Sequence, residues 1–79
     1  MATRLFIEGF PDSFTDQDLF NFFALHGQVV SARVVRGLQG ESLQYGFVEM
    51  VCEEEAARAK EALHRTWIEG KSLIVTFSH

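Results

Sequence analysis

Three aromatic side chains carry the strongest chemical signal in this sequence. Tyr45 and Phe47 stand two apart in Tyr45-Gly46-Phe47-Val48, and residues two apart on a strand project from the same face. Phe6, in the run Leu5-Phe6-Ile7, adds a third ring on what should be a neighbouring strand. Rings held together on one face offer stacking; they supply no acid, base or nucleophile. The remaining reactive residues do not assemble into a set. Glu8 and Glu49 are isolated carboxylates without the cleft that acid–base work needs. Cys52 is the only cysteine, so neither an internal disulfide nor a cysteine-rich zinc site can form, and it is read as a reduced thiol. His26 reads as a packed helix-end residue, while His64 and His79 are too scattered for a metal site. No cofactor is implied.

The elements that position those rings must fit into 79 residues. A chain of that size makes one small domain, residues 1–79, which hides roughly 60% of its unfolded surface and has no room for a deep catalytic cleft. Its 47% hydrophobic and 23% charged residues are those of a folded globular chain. No apolar run approaches the ~20 residues of a membrane span, and the N-terminus lacks the form of a signal peptide. The expectation is a monomer without a membrane partner, working inside the cell in cytoplasm or nucleus. A net charge of −4 argues against binding polyanions through a whole-molecule field.

Arg4 to Glu8 reads as a strand, closed by the loop signals of Gly9-Phe10-Pro11-Asp12. Thr15 has the character of a helix N-cap, with Asp16 and Asp18 placed to suit the helix dipole. Leu19, Phe22, Phe23 and His26 recur at helical spacing, and Gly27 reads as the stop. Val29 to Val35 is β-branched, and the glycine-containing loop Arg36 to Ser42 leads into the strand holding Tyr45 to Val51. Glu53-Glu54-Glu55 opens a second helix with Ala56, Ala59 and Leu63 inward. Trp67-Ile68-Glu69-Gly70 reads as a turn before a last strand, Leu73 to Phe77.

The order β-α-β-β-α-β, with right-handed crossovers, predicts an α+β sandwich: a four-stranded antiparallel sheet with both helices on one face. Periodicity alone would bury the first and third strands on both sides, since near-continuous apolar runs usually are. The element count overrules it, because no helix remains to cover the second face. Leu5, Ile7, Gly46, Val48 and Met50 should then point to the helices, and Phe6, Glu8, Tyr45, Phe47 and Glu49 to the open side. An uncovered aromatic patch of this kind usually marks a binding site.

With these residues in view, the sequence resembles the RNA recognition motif family over essentially its whole length, on the ferredoxin-like βαββαβ topology. Leu5-Phe6-Ile7-Glu8-Gly9-Phe10 is similar to the family's hexapeptide. Leu43-Gln44-Tyr45-Gly46-Phe47-Val48-Glu49-Met50 is similar to its octapeptide, K/R-G-F/Y-G/A-F-V-x-F/Y. The resemblance implies a non-catalytic domain with single-stranded RNA, or single-stranded DNA, laid across the sheet. Bases would stack on Phe6 and Tyr45, and Phe47 would pack against a sugar or base. Three departures stand out: Leu43 where a basic residue is usual, Gln44 where a glycine is, and Met50 in place of an inward aromatic.

Charge distribution partly offsets the loss at Leu43. Asp12, Asp16, Asp18, Glu53, Glu54, Glu55 and Glu61 lie in or beside the helices against Arg58, Lys60 and Arg65, whereas acids and bases balance over the strands and their loops. The phosphate or polar contacts expected there are Arg4, Arg33, Arg36 and Lys71, with Gln44. Glu8 and Glu49 would tune base choice or repel phosphate.

Competing readings exist for most of these residues. The alternative for the rings is cover by a partner protein or by a tail. Arg33 would be solvated or paired with Glu8 or Glu49. Phe20 falls where the helix pattern expects solvent and, with Leu25, suggests a protein partner on the helix face. A peptide-binding subclass of the same family grips tryptophan-bearing segments with an acidic first helix and an Arg-x-Phe loop. Arg65-Thr66-Trp67, Asp16 and Asp18 resemble those parts, yet alignment through Gly70-Lys71 puts Ile68 at the aromatic's place. An enzyme or metal carrier on this topology finds neither a Cys-x-x-Cys pair nor an anion cradle in the sequence.

Overall fold

The computed structural model describes residues 1–78; His79 lies outside the described residues. The chain runs through β1 (Thr3–Glu8), α1 (Asp16–Ala24), β2 (Val29–Arg36), β3 (Ser42–Met50), α2 (Glu53–Leu63), β4 (Trp67–Ile68), β5 (Lys71–Ser72) and β6 (Ile74–Phe77). Four of these strands form an antiparallel sheet in the order β2-β3-β1-β6. Helix α1 lies over β2 and β3, and α2 over β1, β3 and β6. The core fills the space between: Leu5, Ile7, Leu19, Phe23, Val48, Met50, Ala56, Ala59 and Val75 are fully buried.

Local chemistry sets the helix ends. Thr15 Oγ1 accepts from the Asp18 N–H at 3.0 Å, and Asp18 Oδ2 accepts from the Thr15 N–H at 2.9 Å. This reciprocal capping box satisfies two donors at the start of α1. Asp16 does more than suit the dipole, since its Oδ1 accepts the Val34 N–H of β2 at 2.7 Å. At the far end of α2, His64 Nδ1 accepts the Val75 N–H of β6 at 3.0 Å. Each helix is thereby tied to an outer strand by one side chain.

Gly27 does not stop α1. The helix ends at Ala24 with Leu25 still in a right-handed conformation, and a Cβ at Gly27 would come within 2.8 Å of Met50 Cε and Glu55 Cβ. Its smallness makes room for packing rather than for a left-handed turn. Trp67–Gly70 is also more than a turn: Trp67 pairs with Ser72 and Ile68 with Lys71 in a small separate hairpin. Strands of two residues are too short for alternation to register in a sequence.

Gly46 governs how β3 passes β2. It pairs with Val34, whose N–H is spent on Asp16, so this is a non-hydrogen-bonded pair, the type with the closest backbone approach. A Cβ here would run into the Arg33 carbonyl oxygen and lie 3.1 Å from Val34 Cα. Gly46→Ala is therefore expected to lower unfolding free energy by about 2 kcal/mol, the range of overpacking in a tight interior. Urea denaturation followed by circular dichroism checks it, and an unchanged midpoint would refute the close-approach argument.

Candidate nucleic-acid interface

Register places the three rings together. Phe6 of β1 lies directly opposite Phe47 of β3, and Glu8 opposite Tyr45. Their neighbours Leu5, Ile7 and Val48 are fully buried toward the helices, so alternation sends Phe6, Tyr45 and Phe47 to the opposite face, where each stays partly exposed. The Phe6 and Tyr45 centroids are 5.6 Å apart at an interplanar angle of 60°, and those of Phe6 and Phe47 5.4 Å apart at 43°. Tilted contacts of this kind suit the ring quadrupoles and leave part of each ring facing outward.

The polar residues fall into distinct positions around this patch. Arg4 is exposed and places its guanidinium 5.1 Å from the Phe47 centroid, a cation–π arrangement. Arg33 of β2 is the cross-strand partner of Phe47, hence on the same face. Arg36 stands apart. It pairs with Ser42 beyond a register shift, stands two residues along the strand from the buried Val34 and so on that residue's side, and donates from Nη1 to the Gly40 carbonyl at 3.2 Å. Its side chain is tied to the β2–β3 loop, the segment in which the sequence placed it, and lies off the ring-bearing face.

Gln44 and Lys71 come together at the Tyr45 end, where Lys71 Nζ donates to Gln44 Oε1 at 2.7 Å. The Gln44 carbonyl accepts the Gly9 N–H at 3.0 Å, and its own N–H donates to Ser42 Oγ at 3.0 Å. These bonds hold Gln44 at φ +63°, a left-handed backbone that favours glycine. The departure from the octapeptide pattern thus has a physical content: glutamine occupies a site whose dihedral a glycine would adopt without strain.

Some residues of the open face were not singled out in the sequence. Thr76 of β6 lies opposite Phe6, and Ile74 opposite Glu8; Ser31 of β2 lies opposite Glu49. Alternation around the buried Val75 is the signal that would have found Thr76. Phe20 is half-buried, and the apolar exposure on the helical side is at Leu25, 79% exposed. A shallow groove there, between Phe14, Asp18, Phe22, Leu25 and Glu69, lies away from the three rings.

The model of the RNA recognition motif matches residues 5–74. The chain belongs to the RNA recognition motif family. Among similar proteins, multiple RNA-binding domain-containing protein 1 of Mycosarcoma maydis is 32% identical over 78 residues, covering 99% of this chain and 9% of that protein. Polyadenylate-binding protein 2 of Arabidopsis thaliana is 37% identical over 62 residues, covering 78% of the chain and 10% of that protein. The chain thus spans about a tenth of the length of these relatives. Among solved structures, RNA binding protein PG1 superposes with a TM-score of 0.91 at 32% identity, covering 96% of this chain and 93% of that one. The Sxl-lethal protein/RNA complex superposes at 0.93 and 28% identity, covering all of this chain and 48% of the other. Among the described residues no helix is long and apolar enough to cross a membrane.

Gln44→Gly tests the family's preference at that position. Relief of the left-handed backbone is expected to raise unfolding free energy by about 1 kcal/mol, read as a higher urea midpoint. A lower midpoint would mean that the bond from Lys71 outweighs the dihedral strain.

Proposed function

We propose that the domain is a non-catalytic module that binds single-stranded RNA across its open sheet face. Bases stack on Phe6 and Tyr45, and Phe47 packs against a sugar or base. The observation that carries this reading is the cluster of three partly exposed rings, Tyr45 and Phe47 each against Phe6, on the one face that no helix covers. Unstacked bases seek such surfaces because every base has a π-face. Membership of the family and the likeness to an RNA complex support the reading. About two to four nucleotides would be read, and single-stranded DNA would use the same rings.

Arg33, opposite Phe47, and Arg4, over its ring, are the groups suited to phosphates, with Lys71 at the far end of the patch. Leu43 contributes no charge, so the electrostatic grip is small. The module works as a monomer inside the cell, in cytoplasm or nucleus. The peptide-gripping alternative is disfavoured by the work its acidic residues already do: Asp16 holds Val34 and Asp18 closes the capping box.

Two measurements test the reading. Phe6→Ala combined with Tyr45→Ala should weaken binding to short RNA pools at least thirtyfold, since each stack contributes about 1 to 3 kcal/mol, with the circular dichroism spectrum retained. Undiminished binding would overturn the platform. The salt dependence should be shallow, with a log–log slope of about −2, as for three phosphates at roughly −0.7 each, and Arg33→Ala should make it shallower by ~0.7. A slope unaffected by Arg33→Ala would remove that residue from the phosphate path.

A further inference from the structure

One aromatic side chain outside the three rings is bare. Trp67, the only tryptophan of the chain, is 72% exposed, although no side chain has more apolar area to gain from burial. The packing of its hairpin is left to the next residue, Ile68, which lies against the core.

Backbone geometry puts the Trp67 ring on the open face. Leu73 and Val75 are fully buried, so alternation turns Ser72 and Ile74 to the side of the three rings. Trp67 is the cross-strand partner of Ser72, and directly opposed residues share a face. The hairpin is fixed in place: the Arg65 N–H donates to the Leu73 carbonyl at 2.6 Å, and the Leu73 N–H to the Thr66 carbonyl at 2.8 Å. The Ser72 carbonyl meanwhile faces Gly9, just after β1, so β4 flanks the entry to β6 on the side away from β1. With strands about 4.8 Å apart and a rise of about 3.3 Å per residue, Trp67 stands roughly 15 Å from Phe6, outward of Ile74.

From this placement we infer that Trp67 is a detached stacking site, which takes a nucleotide of the same RNA strand where that strand leaves the three rings across β6. The inference rests on the RNA-binding reading of the open face. A few nucleotides of extended strand bridge the gap, so one ligand reaches both places. Stacking on an aromatic ring demands no particular base, because every base has a π-face. The surroundings favour this occupant over a protein. The exposed neighbours of Trp67 in the hairpin are Arg65, Glu69, Gly70 and Lys71, which give no apolar rim of the kind that desolvates an aromatic anchor at a protein interface. A base keeps its polar edges in water, and the two cations suit its phosphates.

Fluorescence anisotropy with labelled random trinucleotide and heptanucleotide RNA pools, on the whole 79-residue chain, tests the inference alongside the emission of Trp67 itself. Trp67→Ala should weaken heptanucleotide binding about fivefold or more, the lower end for one base stack, and leave trinucleotide binding unchanged. Trp67→Phe should restore most of the loss. In the unaltered domain the heptanucleotide pool should quench the tryptophan emission and the trinucleotide pool should not. An equal loss for both pools would make Trp67 a support of the sheet corner and overturn the inference. Heptanucleotide binding that Trp67→Ala leaves unaltered would overturn it too, with the three rings as the whole RNA site and Trp67 free for a protein partner. No binding of either pool by the unaltered domain defeats the underlying reading as well.

Discussion

The close passage of β3 against β2 at Gly46 is the constraint on which the ring-bearing face depends. Because no side chain fits beneath that point, β3 can lie flush with β2 while Tyr45 and Phe47, on either side of the glycine, emerge on the other face. The same register brings Phe6 opposite Phe47 and Arg33 beside it. A sheet held apart here would spread the rings and separate Arg33 from them. The core acts in the same sense: Ile7 and Val34, the partners of Gly46 on its two neighbours, are buried under the helices and lock the register by hydrophobic burial.

Two helices cover only one side of a four-stranded sheet, and that economy separates stability from recognition. Burial of Leu5, Ile7, Leu19, Phe23, Val48 and Met50 holds the domain together without help from the opposite face. The rings there remain half-exposed and can be given over to a ligand. Charge follows the same division. Acidic residues concentrate on the helical side, where Asp16 and Asp18 are used in hydrogen bonds, and the sheet face keeps a near balance of signs.

Alternation in Leu5-Phe6-Ile7-Glu8 and in Tyr45-Gly46-Phe47-Val48 made the face assignments legible in the sequence, because a helix count left one side uncovered. The Thr15 cap was equally legible, since its side chain chemistry is local. What escaped was set by contacts remote in sequence. The Trp67–Ser72 hairpin is too short to show a period, and the irregular pairing of β2 with β3 around Leu43 and Gln44 has no signature in the residue types. Glutamine gives no warning of a left-handed dihedral, so the reason for the missing glycine at position 44 emerges only from the backbone. The bond between Gln44 and Lys71 spans 27 positions and has no pattern to announce it.

The bonds from Asp16 to the Val34 N–H and from His64 to the Val75 N–H reach beyond their part in docking the helices. β2 and β6 are the two margins of the sheet, and an unpaired N–H on a margin is a template for recruiting another chain. Each helix thus plugs one such donor, and residues 65 and 66 add backbone bonds to Leu73 just before β6. A flat aromatic surface flanked by open margins would invite strand exchange and self-assembly. With one donor on each margin already taken in this way, the sheet offers fewer free N–H groups there to template a strand from another chain.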